Sequence, residues 1–388
     1  MRKAFISLAV LVVIIVSVIF TAYQFTLKEP LYHSQSYVFG TLVDISIYGE
    51  SDERARILAN NVLQDFQNLH NRLHAWKPIA VGKPSELEQL NIAFKQGDKP
   101  ISINKDLANM LTDATALSVK SKGLFNPAIA HLIGVWGFQR DEFSAVNIDH
   151  NKIKSLVKTD PNMTDIVLKN NAVYSTNQAV KLDLGGYAKG YALDYAAQYL
   201  RKQHVKNALI NIGGNIIAIG KHADKPWRVG IQHPRAPTAI ATLDLPDGWA
   251  IGTSGDYQRY FMLDGKRYCH ILDPRTGYPV QHTQAVTVLV PPQVPSQSQA
   301  GVLSDVVSKP IFIETAENKA KVAEIFNVEN FMVIDEKSKI FVSASMAKKL
   351  NWLIPNIQFT TFPKIANAQS MQALTTQTHT VQTNVAQP

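Results

Sequence analysis

The run Leu182-Asp183-Leu184-Gly185-Gly186-Tyr187-Ala188-Lys189-Gly190 joins an apolar strand end, a paired-glycine turn and a helix start in immediate succession. Paired glycines let the backbone approach a ligand closely, and the first turn of a helix offers N–H groups that no carbonyl has claimed. Lys189 adds positive charge beside them, so the run suits an anion such as phosphate. An ordinary strand-to-helix turn leaves the same pattern. A dinucleotide fingerprint is excluded, because no G-x-G-x-x-G follows the strand.

Five further polar clusters lie in tight turns. Gly40-Thr41 opens a strand, and Asn211-Ile212-Gly213-Gly214-Asn215 is a second Gly-Gly turn between two apolar strands. Ser85-Glu86-Leu87 precedes Asn91 and also reads as a helix cap, with Ser85 three residues before Glu88. Gly123-Leu124-Phe125-Asn126-Pro127, followed by Trp136-Gly137-Phe138, carries aromatics that could stack on a planar ring or fill a core. The densest cluster is Thr253-Ser254-Gly255-Asp256-Tyr257 with His270-Ile271-Leu272-Asp273-Pro274-Arg275-Thr276-Gly277. It offers hydroxyls, carboxylates, an imidazole and a guanidinium together, the mixture that phosphate and metal chemistry requires.

These residues must be positioned by elements that the hydrophobic pattern predicts. Thr41–Tyr48 alternates with Val43, Ile45 and Ile47 on one face, a strand. The spacing predicts helices over Glu50–Leu73 and Lys105–Lys120, and a third after Gly186 with Ala188, Tyr191, Ala192, Tyr195, Ala196 and Tyr199 on one face. Short strands are predicted at Ile166–Leu168 and Val173–Ser175, then through Ala208–Ile212, Ile216–Ile219, Trp227–Ile231, Thr238–Leu243, Ala250–Thr253, Tyr260–Leu263 and Val286–Val290. Strands joined by short turns, such as Leu263-Asp264-Gly265-Lys266, imply an α+β fold with largely antiparallel pairing.

The chain of 388 residues is 46% hydrophobic and 18% charged, enough to bury a large core. Its net charge of +8 is spread along the sequence, with no arginine-rich run interleaved with aromatics, which argues against nucleic acid as a partner. Arg2 and Lys3 precede an apolar run from Ala4 to Tyr23, about the length that crosses a bilayer. Phe20-Thr21-Ala22 lacks a small-x-small cleavage pattern, which favours an uncleaved signal anchor over residues 1–27, with a cleaved signal peptide and an exported domain as the alternative. Residues 28–36 read as a linker and 366–388, rich in Gln, Thr, Ala and Asn, as a disordered tail. Cys269 is the single cysteine, so one chain can form neither a disulfide nor a cysteine metal cluster.

Taken in order, the segments Gly40-Thr41, Ser85 to Asn91, Gly123 to Phe138, Asp183 to Asp194, Asn211 to Gly220, Thr253 to Tyr257 and His270 to Pro279 resemble the ApbE family of flavin transferases. The Asp-Leu-Gly-Gly-x-Ala-Lys-Gly and His-Ile-x-Asp-Pro-x-Thr-Gly runs carry most of the resemblance. It implies a two-lobed, T-fold-related domain over 37–355 that faces the periplasm from a membrane anchor. It also implies an enzyme that moves the FMN moiety of FAD to a Ser or Thr hydroxyl of a membrane redox protein, with Mg²⁺ and release of AMP. By the same resemblance FAD would meet Gly40, Thr41, Trp76, Glu86, Asn126, Asp183, Gly185, Gly186, Lys189, Asn211, Gly213, Gly214, Thr253, Ser254, Asp256, His270, Asp273 and Thr276. His270 and Asp305 would be catalytic, and the backbone of Ala188 with Asp305 would hold the metal.

The chain departs from the family pattern at the metal. Lys309 stands where a threonine ligand belongs, Pro310 follows it, and Ser308 is the remaining candidate oxygen. An ammonium has no lone pair to give a cation. Asn126 replaces a usual aspartate and Ala128 a usual threonine. Two readings follow: an active transferase, with Asp305 holding Mg²⁺ despite Lys309 or with Lys309 partly replacing it, or a non-catalytic protein that binds and delivers FAD. A lesser reading is hydrolysis of FAD to FMN and AMP.

Overall fold

The computed structural model describes residues 31–76, 83–97, 99–140, 142, 144–292, 299–362 and 378–381. A sheet of ten strands runs through it in the spatial order Leu31–Val38, Thr41–Tyr48, Asn207–Ile212, Asn215–Ile219, Ala250–Gly255, Thr283–Val290, Asn330–Asp335, Ile340–Val342, Ile357–Thr361, Thr378–Val381. Every neighbouring pair is antiparallel except Ile340–Val342 with Ile357–Thr361. The α+β class and the antiparallel pairing expected from the sequence are both present.

Both faces of the sheet are covered, and the sequence of the central strand shows it. Thr283–Val290 is buried at every position, with Val286, Val288 and Val290 in one core and Ala285 and Leu289 in the other. A strand covered on two sides needs no polar alternation. The first core holds the helices Asp52–Leu73, Lys105–Lys120, Ala188–Lys202 and Ala300–Ile313. The second is closed by a three-stranded sheet of Trp227–Gln232, Ala239–Leu245 and Asn351–Trp352. A third cluster, with Leu132, Trp136, Phe138, Phe261 and Leu272, packs the segments around residue 138 against the hairpin Tyr260–Leu263/Lys266–Cys269. The aromatics of that segment are therefore core.

Several boundaries differ from the expectation. Residues 31–36, read as linker, belong to the edge strand Leu31–Val38, because Phe39 and Gly40 close a tight hairpin at φ 57° and 69° and extend the pairing to Leu31↔Tyr48. Thr378–Val381, read as part of a disordered tail, pairs with Ile357–Thr361 at the far edge. The buried stripe of Ala188–Lys202 runs through Ala188, Gly190, Leu193, Ala196, Ala197 and Leu200, while Tyr195 faces solvent, because the helix is covered on two sides. Among the described residues no helix is long and apolar enough to cross a membrane. The expected anchor, residues 1–27, lies outside the described residues.

The helix Ala300–Ile313 is the element that most constrains the site. It continues through Pro310 to Ile313. It crosses Ala188–Lys202 at a glycine pair: a Cβ on Gly190 would meet Gly301 O at 2.5 Å and Val302 Cα at 2.7 Å. It lies equally close to the sheet, where a Cβ on Gly252 would meet Ser304 O at 2.4 Å. Its two ends are held by side chains from elsewhere. Asp194 accepts the Gly301 and Val302 amides at 2.8 Å each, and Lys319 Nζ donates to the carbonyls of Ile311 at 2.7 Å and Phe312 at 3.2 Å. Burial raises Asp194 to about 7 and lowers Lys319 to about 7, so near neutral pH the hydrogen bonds, more than full charges on the helix dipole, hold the two ends. Gly190→Ala is expected to lower thermal stability by about 1–3 kcal/mol, because the new methyl meets immobile backbone and outweighs the helix propensity gained. A melting curve followed by circular dichroism checks this, and an unchanged midpoint would contradict the close crossing.

Candidate active site

Three groups of residues from separate parts of the fold make up the candidate site. In the first, Asp183 closes the turn itself: its Oδ1 accepts the Gly185 amide at 2.7 Å and its Oδ2 the Trp76 indole N–H at 2.9 Å. Lys181 lies over the Trp76 ring, 4.3 Å from its centroid. Asn91 fixes the preceding strand by exchanging two hydrogen bonds with the backbone of Leu182. Asp183 and Trp76 are thus joined to each other at the turn.

The second group is the other Gly-Gly turn. Gly213 and Gly214 adopt φ 59° and 91°, a conformation that side chains resist, and Thr41 packs directly over Gly213. Asn211 Oδ1 accepts the Gly214 amide at 2.9 Å, and Gln258 Nε2 donates to Gly213 O at 3.2 Å. Here the sheet opens. The strands Asn215–Ile219 and Ala250–Gly255 pair only at Ala250↔Ile217 and Ile251↔Ile216. Beyond them the side chain of Asn215 spans the gap, accepting the Thr253 amide at 3.3 Å. Asn215 Nδ2 is buried there with no partner, a donor that a bound ligand would satisfy.

The third group carries the charges. Asp305 is buried; its Oδ2 accepts the Gly190 amide at 2.9 Å and its Oδ1 the Lys309 ammonium at 2.6 Å. Lys309 Nζ also donates to Asp305 O at 2.7 Å, and its stem crosses Gly186 so closely that a Cβ there would lie 2.9 Å from Cε. Ser308 Oγ donates to Asp305 O at 2.7 Å and meets Ser254 Oγ at 2.7 Å; Thr253 Oγ1 meets Thr287 Oγ1 at 3.0 Å. The Lys189 ammonium makes no hydrogen bond or ion pair to another described residue. Burial lowers its pKa, opposed by Asp305 and reinforced by Lys309 and Arg259. His270 is held down to about 3, first by burial and then by Arg259, Lys189 and Lys309. The imidazole is therefore neutral at physiological pH. With Nδ1 against Arg259 O at 3.3 Å, the ring proton belongs on Nδ1 and the lone pair on Nε2.

Arg259 thus faces His270 across the hairpin, while Lys309 pairs with the one carboxylate, Asp305, over Gly186; both cations, with Lys189, act on the His270 imidazole as positive neighbours. The excess positive charge matches a pyrophosphate. Arg259 is the residue that the sequence reading missed. The hairpin register supplies the signal: Tyr260↔Cys269 is its outermost pair, so Arg259 and His270 face each other next, joined by His270 N to Arg259 O at 3.1 Å.

Other expected contacts are engaged elsewhere. Asp256 is clamped by Arg235 through two bonds of 2.6 Å, Glu86 by Arg72 at 3.0 Å, and Asp273 by Arg275 at 2.8–3.2 Å. Thr276 accepts the Tyr278 amide at 3.2 Å inside the same turn, and Asn126 braces Pro161 and Ala128. These five residues build the loops around the site, and their polar groups are committed to protein partners. Gly40 leads into Thr41 without closing on any other residue.

The oxygens expected to hold Mg²⁺ do not fit the ion. Asp305 already has both oxygens paired, and Ser308 is bonded to Asp305 O and Ser254. Ala188 contributes its carbonyl to the first turn of its helix, where carbonyls point along the axis and away from the N-terminus. Mg²⁺ demands near-ideal octahedral oxygen ligation, and the ammonium of Lys309 stands 2.6 Å from the Asp305 oxygen that would ligate it. Among the described residues no group of three or more His, Cys, Asp or Glu could hold a metal ion.

Comparison with known proteins gives this arrangement a context. The ApbE family model matches residues 39–332. A FAD:protein FMN transferase of Rhodobacter capsulatus is 34% identical over 325 residues, covering 84% of this chain and 59% of its own length. One from Haemophilus influenzae is 30% identical over 279 residues, covering 69% of this chain and 77% of the relative. Among solved structures, the ApbE protein of Thermotoga maritima superposes with a TM-score of 0.72 at 26% identity, covering 82% of this chain and 99% of that one. The flavin transferase ApbE of Vibrio cholerae shares the fold, with a TM-score of 0.68 at 23% identity and coverage of 83% and 99%.

Proposed function

The chain belongs to the ApbE family, and from that membership and its site we propose that it is a FAD:protein FMN transferase. The observation that carries the reading is the Lys309 ammonium, held by Asp305 and laid across the Gly185-Gly186 turn, with Lys189 next to that turn in the chain. FAD presents a phosphoanhydride with two negative charges, and the excess cationic charge is its complement. The glycine turn lets the chain approach the phosphates, while the opening beside Asn215 offers a buried donor for the rest of the ligand.

In the reaction the acceptor hydroxyl oxygen forms a bond to the FMN phosphorus. The bond from that phosphorus to the bridging oxygen breaks, the bridging oxygen leaves on AMP, and the hydroxyl proton passes to solvent. Such transfers depend mostly on alignment and on neutralising charge at the phosphate oxygens. Lys189, Arg259 and Lys309 supply the neutralisation. His270, neutral and with Nε2 open, is the group able to take the proton first.

The proposal extends to place and partner. The acceptor is a protein of a membrane redox system, and the basic-then-apolar N-terminus, Arg2 and Lys3 before Ala4–Tyr23, supports a domain held at the periplasmic face. The test is incubation of the full chain with FAD and a candidate acceptor domain, followed by in-gel flavin fluorescence and AMP quantitation. Covalent flavin with equimolar AMP is expected. Tight FAD binding with neither product would instead identify a flavin-binding or flavin-delivery protein.

A further inference from the structure

Resting on that reading, we infer that Lys309 is a built-in cation, whose ammonium takes the place beside the FAD pyrophosphate that a divalent ion would otherwise fill, so that FAD binds and reacts here without Mg²⁺. Three observations carry this. Asp305 and Lys309 are one helical turn apart and share a face, and their contact at 2.6 Å joins a carboxylate 2% exposed to an ammonium side chain 19% exposed. The carboxylate is therefore the buried anchor, and the charge on the open side belongs to lysine.

Gly186 makes room for the lysine. Its missing side chain is where Lys309 Cε and Cδ pass, at 2.9 and 3.2 Å from a notional Cβ, so the ammonium is delivered to the turn that the phosphates approach. Two of its three N–H groups go to Asp305, leaving one for a ligand oxygen. Finally, both Asp305 oxygens already accept a hydrogen bond, one from Lys309 and the other from the Gly190 amide. An ion entering here would have to displace Lys309 from its partner while standing within a few ångströms of its charge, an arrangement that Coulomb repulsion opposes. In the transfer step the ammonium stays protonated and only offsets charge; the bonds made and broken are those at the FMN phosphorus, and AMP and a proton leave.

The experiment is FAD binding by flavin fluorescence, with full-length protein stripped in EDTA and then supplied with Mg²⁺. Wild-type affinity is expected to agree within about twofold in the two buffers, and Lys309→Thr to bind about tenfold more weakly in EDTA and recover with Mg²⁺. Metal analysis of wild-type protein saturated with FAD and Mg²⁺ should find no stoichiometric magnesium, a readout that does not depend on the variant folding. Binding of FAD only when Mg²⁺ is present, or one magnesium per chain, would overturn the inference alone. Absence of FAD binding in both buffers would overturn the proposed function, and the inference with it.

Discussion

Asp305→Ala should lower the melting temperature by on the order of 5–10 °C and abolish FMN transfer. The side chain is almost wholly buried, and its removal strands two groups at once: the Gly190 amide and the Lys309 ammonium. Breaking a buried pair by deleting one member costs about 3–5 kcal/mol, because the other charge stays without compensation. The Gly190 amide belongs to the first turn of Ala188–Lys202, so the same loss loosens the close crossing with Ala300–Ile313. Transfer fails for a separate reason: without Asp305 nothing fixes Lys309 at the glycine turn. Calorimetry measures the first effect and AMP release the second. The double variant Asp305→Ala with Lys309→Met removes both charges and should recover most of the lost stability but none of the transfer. If Asp305→Ala melts like the wild type, the buried pair is not what holds these helices together.

His270→Gln is expected to slow transfer by about 10²–10⁴, the usual range for losing a general base, with little change in FAD affinity. Burial and the three cations keep the free imidazole near 3, too weak a base for the task. Two negative charges from FAD offset those cations, so basicity rises when substrate binds. The rate should therefore fall as pH drops through a pKa lying above the free value of about 3 and should be flat at alkaline pH, while in His270→Gln this acid limb disappears. Stability carries the same signature. Folding depresses the pKa below the ordinary 6.5, so the neutral ring's contribution is complete above pH 6.5 and is lost as pH falls toward 3. Melting temperatures between pH 7 and 4 should decline less steeply in His270→Gln. A variant with wild-type turnover would remove His270 from proton transfer.

Much of this site was legible because its signals are local. Gly185-Gly186 after Leu184 and Gly213-Gly214 after Ile212 announce turns whatever the fold around them. Asp264-Gly265 fixes the hairpin that sets Arg259 against His270, so counting back along the register would have found the arginine. Alternation in Asn207–Ile212 and helical spacing in Asp52–Leu73 survive in the burial pattern because each buries one principal face. Signals failed where neighbours distant in sequence decide. Leu31–Val38 looks like a linker because it is an edge strand, alternating only between exposed and half-buried. Asp256 looks like a ligand contact until Arg235 arrives from a loop between two other strands.

The sequence by itself determined the turns, the hairpins and which residues could carry charge, since backbone geometry at glycine and hydrophobic period act over a few residues. Lys309 appears there only as a misplaced residue at a metal position. The tertiary structure decided its meaning. Gly190 meets Gly301, Gly252 meets Ser304 and Gly186 admits the lysine stem, and these backbone contacts bring Asp305 under the Gly190 amide and leave the ammonium at the mouth of the turn. Such close approaches depend on the meeting of three elements distant in sequence, so no local pattern encodes them.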